Sequence, residues 1–449
     1  MSHALEELHE GVRDLDMYRV LGAVRDTVGA FVTAVPYLFA VDHFARQRKQ
    51  ARDVVAAWQA SPRPPQVACL AIFSDSIDHV DGVTSSLRRF VREATREGRN
   101  VRIPYCGARP VDANDVVYRP LAAVLSETTT LYADLELHVP SLLDTIDWLW
   151  RNNITHVELA TPGPMGLVGL IAARLLRLPV TASYHTEVLK LLSQLSNSAL
   201  LHKAASALTT WFYKTVDKVF AFSESSRQSL LQLGVPSARI EHVSVAIDPH
   251  EFSPAYAEAT AFGALGIDVE CERVILTVGR LSREKRVDVI IEAIDRIQNT
   301  PRAPVLVIVG DGPERAALER LAAGKAHVVF VGVQRGDTLK RLYASASAFV
   351  FASRIDTLGL ATMEAMASGI PVIVPADSAI AELVVADRSG YCYEFGVDGL
   401  VEVLIALDES PQHRRSVAES ARKAMVARWD QTRFSDLWQR MAGTTSSEA

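Results

Sequence analysis

The chain has 449 residues, with 53 acidic against 47 basic side chains, a formal charge of -6, and a composition that is 49% hydrophobic, 22% charged and 7% aromatic. That length exceeds one ordinary domain, so two are expected. The acidic balance excludes a general nucleic-acid binder, which needs a basic surface.

Residues 1–61 read as a helical extension leading into the proline-rich "SPRPP" linker at 61–65. The first 25 residues are dense in Glu, Asp and Arg, unlike a cleavable secretion signal, so a reducing, cytoplasmic setting is expected. Within the extension, "TVGAFVTAVPYLFAV" at 27–41 is uncharged, and "RQRKQAR" follows at 46–52. The apolar run is shorter than the roughly 20 residues that span a bilayer, and Pro36 interrupts it. Two readings stay open. Residues 27–52 are a peripheral contact with the inner face of the cytoplasmic membrane, or a helix packed on the domain or on a second subunit. Asp14 and Asp16 form the DxD of the chain and read as a solvated helix face, so no metal is expected.

From residue 66 short apolar runs alternate with helical stretches. "QVACLAIFS", "NVRIPYCG", "THVELAT", "PVTASYH", "KVFAFS" and "IEHVSVA" are predicted strands of the first half. "RVILTVG", "VLVIVG", "HVVFVG", "AFVFAS", "PVIVPA" and "GYCYE" are those of the second. Apolar strands spaced by helices predict parallel sheets covered on both faces, here two doubly wound domains. "IDPHEFSPAYAEA" at 247–259 reads as the junction, and "ARWDQTRFSDLWQRM" as an amphipathic tail helix anchored by Trp429, Phe434 and Trp438. Cys69, Cys106, Cys271 and Cys392 match no metal-ligand spacing and read as small hydrophobes. His156 falls inside a strand and reads as structural.

Such folds bind ligands beyond the carboxyl ends of their strands. "RVILTVG" is followed by Arg280 and Lys285, two cations placed to clamp a diphosphate. "VLVIVG" leads into Asp311 and Gly312, with Pro313 suited to the first helical turn. Arg315 stands where a dinucleotide fingerprint needs its third glycine, which counts against a dehydrogenase. The next strand ends at Val333 in "GVQRGD", a turn whose backbone could meet a flat base. "AFVFAS" then delivers "RIDTLGLATMEAMASG". The amides of Leu358, Gly359 and Leu360 open a helix and face an anion, with Asp356 before the turn and Glu364 within the helix. A carboxylate accepts hydrogen bonds from both of two vicinal hydroxyls, so acids flanking an anion site fit a nucleotide sugar. Without such neighbours Glu364 would read as a partner of the helix dipole.

"VGRLSREK", "VGDGPER", "FVGV" and "LYASASAFVFASRIDTLGLATMEAMASGIPVIV" together resemble the family 4 retaining glycosyltransferases of the GT-B fold. "FSDSIDHVDGVTSSLRRF" and "PVTASYHTE" resemble that family at fewer points in the first half. The resemblance implies an α/β architecture of two Rossmann-like doubly wound domains facing across a cleft. Residues 62–250 would be the acceptor domain, joined by a C-terminal helix at 427–445, and 251–426 the donor domain. It further implies a nucleotide-diphosphate sugar, of UDP or GDP type, as co-substrate, with no other cofactor and no metal. Glu364 would hold the ribose, Arg280 and Lys285 the diphosphate, Gly82 would open the helix near the donor phosphate or acceptor, and His185 would lie beside the transferred sugar. Asp356 to Glu364 has the spacing of the family's E-x7-E motif, with Asp356 in place of the usual Glu, which bears on which sugar is held. A lipid or lipid-linked glycan is the expected acceptor. A nucleotide-sugar epimerase and a non-catalytic partner of another glycosyltransferase are the alternatives.

Overall fold

The computed structural model describes residues 67–77, 82–107, 117–128, 136–185, 199–244, 247–299, 303–431 and 434–442. The extension at 1–61, its stretch at 27–52 and the Asp14–Asp16 pair lie outside these residues. The first half runs β1 (Cys69–Phe73), α1 (Gly82–Arg96), β2 (Asn100–Tyr105), β3 (Tyr118–Pro120), β4 (Ala123–Thr128), β5 (Glu136–Pro140), α2 (Leu142–Arg151) and β6 (His156–Leu159). It continues with α3 (Pro164–Leu175), β7 (Val180–Ser183), α4 (Ala199–Thr215), β8 (Lys218–Ala221), α5 (Glu224–Gln232) and β9 (Ile240–His242). The second half runs β10 (Val274–Val278), α6 (Val287–Arg296), β11 (Val305–Val309), α7 (Arg315–Leu321), β12 (Val328–Gly332), α8 (Gly336–Ser345) and β13 (Ala348–Val350). Then follow α9 (Leu360–Ala367), β14 (Val372–Pro375), α10 (Ala379–Asp387), β15 (Gly390–Tyr393), α11 (Val397–Glu409), α12 (Pro411–Gln431) and α13 (Phe434–Ala442).

The strands pair as the apolar runs dictate. All five residues of "CLAIF" in β1 are buried, because helices cover both faces of a parallel sheet. The first sheet has the order β3-β2-β1-β6-β7-β8-β9 and the second β12-β11-β10-β13-β14-β15. Both sheets are parallel, with Leu70 opposite His156 and Leu276 opposite Phe349 in their central pairs. Helices follow the 3.6-residue period: α1 buries Thr84, Leu87, Val91 and Ala94 and exposes Arg92 and Arg96. The first half holds three strands beyond the six expected. β3 extends the sheet, and β4 with β5 forms a separate antiparallel pair. "YRP", "AVLSET" and "ELHVP" are short or polar, so they lack the apolar signature of a doubly covered strand.

The tail differs from the single helix expected over 427–445. α12 ends at Gln431 and a separate α13 begins at Phe434. α13 lays Trp438, Met441 and Ala442 onto the first sheet, in one core with Leu70, Ile72, Leu87 and Phe220. Trp438 is 1% exposed and stacks on Phe90 at 6.2 Å. α7 starts at Arg315, two residues later than Pro313 suggests.

Candidate active site

In an open parallel sheet the crevice forms where strand order reverses, since neighbouring strand ends there send their chains to opposite faces. The second sheet reverses between β10 and β13, and the loops after these two strands carry Arg280, Lys285 and Asp356. Gly279, Arg280, Lys285, Phe351 and Ala352 line one hollow there. Lys285 Nζ donates to Asp356 Oδ2 at 2.5 Å and lies 5.9 Å above the Phe351 ring. Ser353 Oγ donates to Asp356 Oδ1 at 3.0 Å. Lys285 and Asp356 are therefore a charge-paired unit, each side chain about one-quarter exposed, with Arg280 beside Lys285 in the lining of the hollow.

Gly359 caps the N-terminus of α9 in the left-handed region, at φ 60°. A Cβ there would lie 3.1 Å from Ile380, so the turn requires glycine on both counts. Leu360 opens α9, with Leu358 and Gly359 just before it. The first amides of a helix have no intrahelical acceptor, and Asp356 stands three residues before Gly359 in the same connection. Glu364 is not a partner of that helix terminus. Its Oε2 accepts from the Tyr343 hydroxyl at 3.0 Å, and its Oε1 lies 4.0 Å from Nη2 of Arg89, which comes from α1 of the other half. Burial pushes the Glu364 carboxyl up to about 7, against the Arg89 charge and the Tyr343 hydrogen bond.

Gly312 sits where a Cβ would be 2.4 Å from the Leu281 carbonyl, so the loops after β10 and β11 pack backbone to backbone. Val333 follows β12, two strands from the junction, and is 49% exposed. Across the cleft, Gly82 is the exposed first residue of α1. His185 follows β7 and stacks on Phe222 at 4.7 Å. Burial pushes its imidazole down to about 4, so the ring is neutral at physiological pH. Thr357, next to Asp356, donates its hydroxyl to the His185 carbonyl at 2.5 Å and so joins the two candidate segments. Behind Thr357 and Leu358 a cleft of about 170 Å³ runs between the halves, lined among others by Phe222, His242, Met363, Ile380 and Arg428.

Sequence reading missed Arg89, Tyr343, Thr357 and Asp75. Asp75 follows β1 and accepts from the Thr161 hydroxyl at 2.5 Å and the Met165 amide at 2.8 Å, anchoring the start of α3. Tyr343 and Thr357 lie inside the longest motif, and Asp75 and Arg89 inside "FSDSIDHVDGVTSSLRRF", but nothing local in either stretch singles these side chains out.

The family model described as Glycosyl transferases group 1 matches residues 267–424, and that of Glycosyltransferase Family 4 matches residues 80–251. A GDP-mannose-dependent alpha-mannosyltransferase of Corynebacterium glutamicum is 30% identical over 320 residues, covering 70% of this chain and 73% of that protein. The chain belongs to the family 4 glycosyltransferases. Its likeness to the sulfoquinovosyl transferase SQD2 of Arabidopsis thaliana is 27% over 60% of this chain, and spans about half (52%) of that longer protein. An alpha-monoglucosyldiacylglycerol synthase of Streptococcus pneumoniae is 25% identical over 77% of this chain and 80% of its own length. Among solved structures, the Anabaena protein HepE in complex with UDP and glucose superposes with a TM-score of 0.64 at 17% identity, over 85% of this chain and all of that one. The two facing sheets are thus the GT-B fold. In this glycosyltransferase Arg280, Lys285, Asp356 and Glu364 fall within the first matched stretch, and Gly82, Arg89 and His185 within the second.

Proposed function

We propose that this glycosyltransferase moves a sugar, with retention and without a metal, from a UDP- or GDP-sugar to a hydroxyl of a lipid or lipid-linked glycan. The observation that carries the reading is the unit of Arg280, Lys285 and Asp356 at the strand-order reversal of the second sheet. Arg280, Lys285 and the amides of Leu358, Gly359 and Leu360 receive the diphosphate, where negative charge grows as the leaving group departs. Two fixed cations and a helix terminus supply the positive charge that a metal would otherwise bring. Asp356 meets the sugar hydroxyls, Glu364 the ribose, and Gly312 and Val333 border the base. The anomeric carbon–oxygen bond to the diphosphate breaks, the acceptor oxygen bonds from the same face, and the hydroxyl proton passes to the departing phosphate. His185, neutral and held against Phe222, flanks the sugar and donates or accepts a hydrogen bond without adding charge. The halves around it exclude water, which limits hydrolysis of the donor.

The donor class draws support from the GDP-mannose in one relative's name and the UDP bound by HepE. The acceptor class draws support from the diacylglycerol in another's. No helix among the described residues is long and apolar enough to cross a membrane; the peripheral contact is read from the short apolar run at 27–41 and the basic run that follows it. A thermal-shift screen with UDP, GDP, ADP and their sugar conjugates tests the donor. One nucleotide in hundredfold excess over its Kd should stabilise the protein by about 2.7 kcal/mol. No shift with any of them would sink the reading and favour the non-catalytic alternative.

A further inference from the structure

Glu364 draws its surroundings from both halves of the molecule. Tyr343, fully buried on α8 of its own half, donates to one carboxylate oxygen, and Arg89 on α1 approaches the other. The two charged side chains are 16% and 17% exposed, so water screens the pair weakly. One helical turn further along α1, Arg92 Nη2 meets Glu251 of the junction at 3.4 Å, which places this flank of the helix against the second half. We propose that Arg89 is a positioning residue for the nucleotide ribose: reaching from the first half, it fixes the Glu364 carboxylate that receives the ribose hydroxyls, so the ribose site is complete only when the halves are together. This rests on the reading of Glu364 given above.

An ionised carboxylate accepts from two vicinal hydroxyls, whereas a protonated one commits an oxygen to donating. Closing the halves buries Glu364, which favours the proton and carries the carboxyl up to about 7, and the negative charge of Glu251 acts in the same sense. The Arg89 cation and the Tyr343 hydroxyl oppose both. The same closure that removes water from the carboxylate thus delivers the cation that keeps it charged. Nucleotide binding and closure are coupled, and each favours the other by the same factor.

The test is calorimetric titration with UDP and with GDP across the neutral pH range, using the full chain and the variants Arg89→Met, Arg89→Lys and Glu364→Gln. Arg89→Met should weaken nucleotide binding about tenfold at neutral pH. It should also move the midpoint of the pH dependence upward, because the carboxylate loses its cation while remaining buried. Arg89→Lys should restore most of both effects, and Glu364→Gln should weaken binding and flatten the pH dependence. A merely loosened fold would lower affinity without moving the midpoint. If Glu364→Gln impairs binding while Arg89→Met leaves affinity and midpoint unchanged, the role of Arg89 is overturned and the ribose reading stands. If Glu364→Gln binds both nucleotides as the unaltered chain does, both fail.

Discussion

Glu158 shows how a single side chain inside a sheet sets a pH dependence. It lies on β6, 1% exposed, and accepts from the Thr181 hydroxyl and, at 2.6 Å, from the Ser183 hydroxyl on β7. Burial pushes its carboxyl from 4.5 up to about 7, and the two hydroxyls only partly offset that. The folded state therefore holds the proton more tightly than the unfolded one. Its stabilising effect is full below the unfolded value and is lost as pH rises through about 7. Glu158→Gln keeps an acceptor and adds a donor for the same hydroxyls without the ionisation. The variant should gain stability relative to the unaltered chain between pH 5 and pH 8, by on the order of 3 kcal/mol at most. Melting curves at the two pH values check this, and a difference that does not grow with pH refutes it. His185 illustrates the opposite sign, since burial there removes a proton and leaves a neutral ring beside Phe222.

The turn into α9 is where one element fixes the geometry of the site. Gly359 takes a left-handed conformation that costs other residues about 1–2 kcal/mol, and its Cβ position is hemmed by Ile380 at 3.1–3.4 Å. Gly359→Ala should lower the melting temperature of the second half. It should also weaken UDP or GDP binding, because the amides of 358–360 shift with the turn. Calorimetric melting with and without nucleotide separates the two effects, and unchanged nucleotide stabilisation would show that these amides are not at the phosphates. Elements of this kind were legible in the sequence. All six apolar runs of the second half became strands; of the residues flagged after them Arg280 and Lys285 line the hollow at the β10–β13 junction, with Asp356 paired to Lys285, while Val333 lies two strands away. The β4–β5 pair was not legible, because alternating polar residues in short runs resemble loop. Nor was the break between α12 and α13, where no proline or glycine marks the change. The ion-pair partner of Glu364 was hidden for another reason: Arg89 comes from α1 of the other half, and no local pattern records which distant side chain will arrive.

At the scale of the whole molecule, the relation between the halves rests on a few directional contacts. Ser223 caps α5 of the first half by accepting from the Ser226 amide at 3.1 Å. Two further amides at that terminus, of Glu224 and Ser225, are met instead by Glu382 on α10 of the second half, at 2.9 and 2.8 Å. A carboxylate bonded to consecutive amides at a helix start is favoured by the unsatisfied donors and by the helix dipole together. It sits beside the cleft that also holds Thr357 and Arg428, so this clamp and the Thr357–His185 bond close the same side of the molecule. Glu382→Ala should leave each sheet intact, since Glu382 is exposed and belongs to neither core. The halves should then separate more readily. Small-angle X-ray scattering should give a larger radius of gyration for the nucleotide-free variant, and added donor nucleotide should reverse part of the change, because the ligand favours the closed arrangement. Raised salt should expand the unaltered chain in the same direction, as it screens an exposed charge–dipole contact. An unchanged radius in the variant would mean that α13 and the Thr357–His185 bond suffice to hold the halves together, and that Glu382 serves only as a cap for α5.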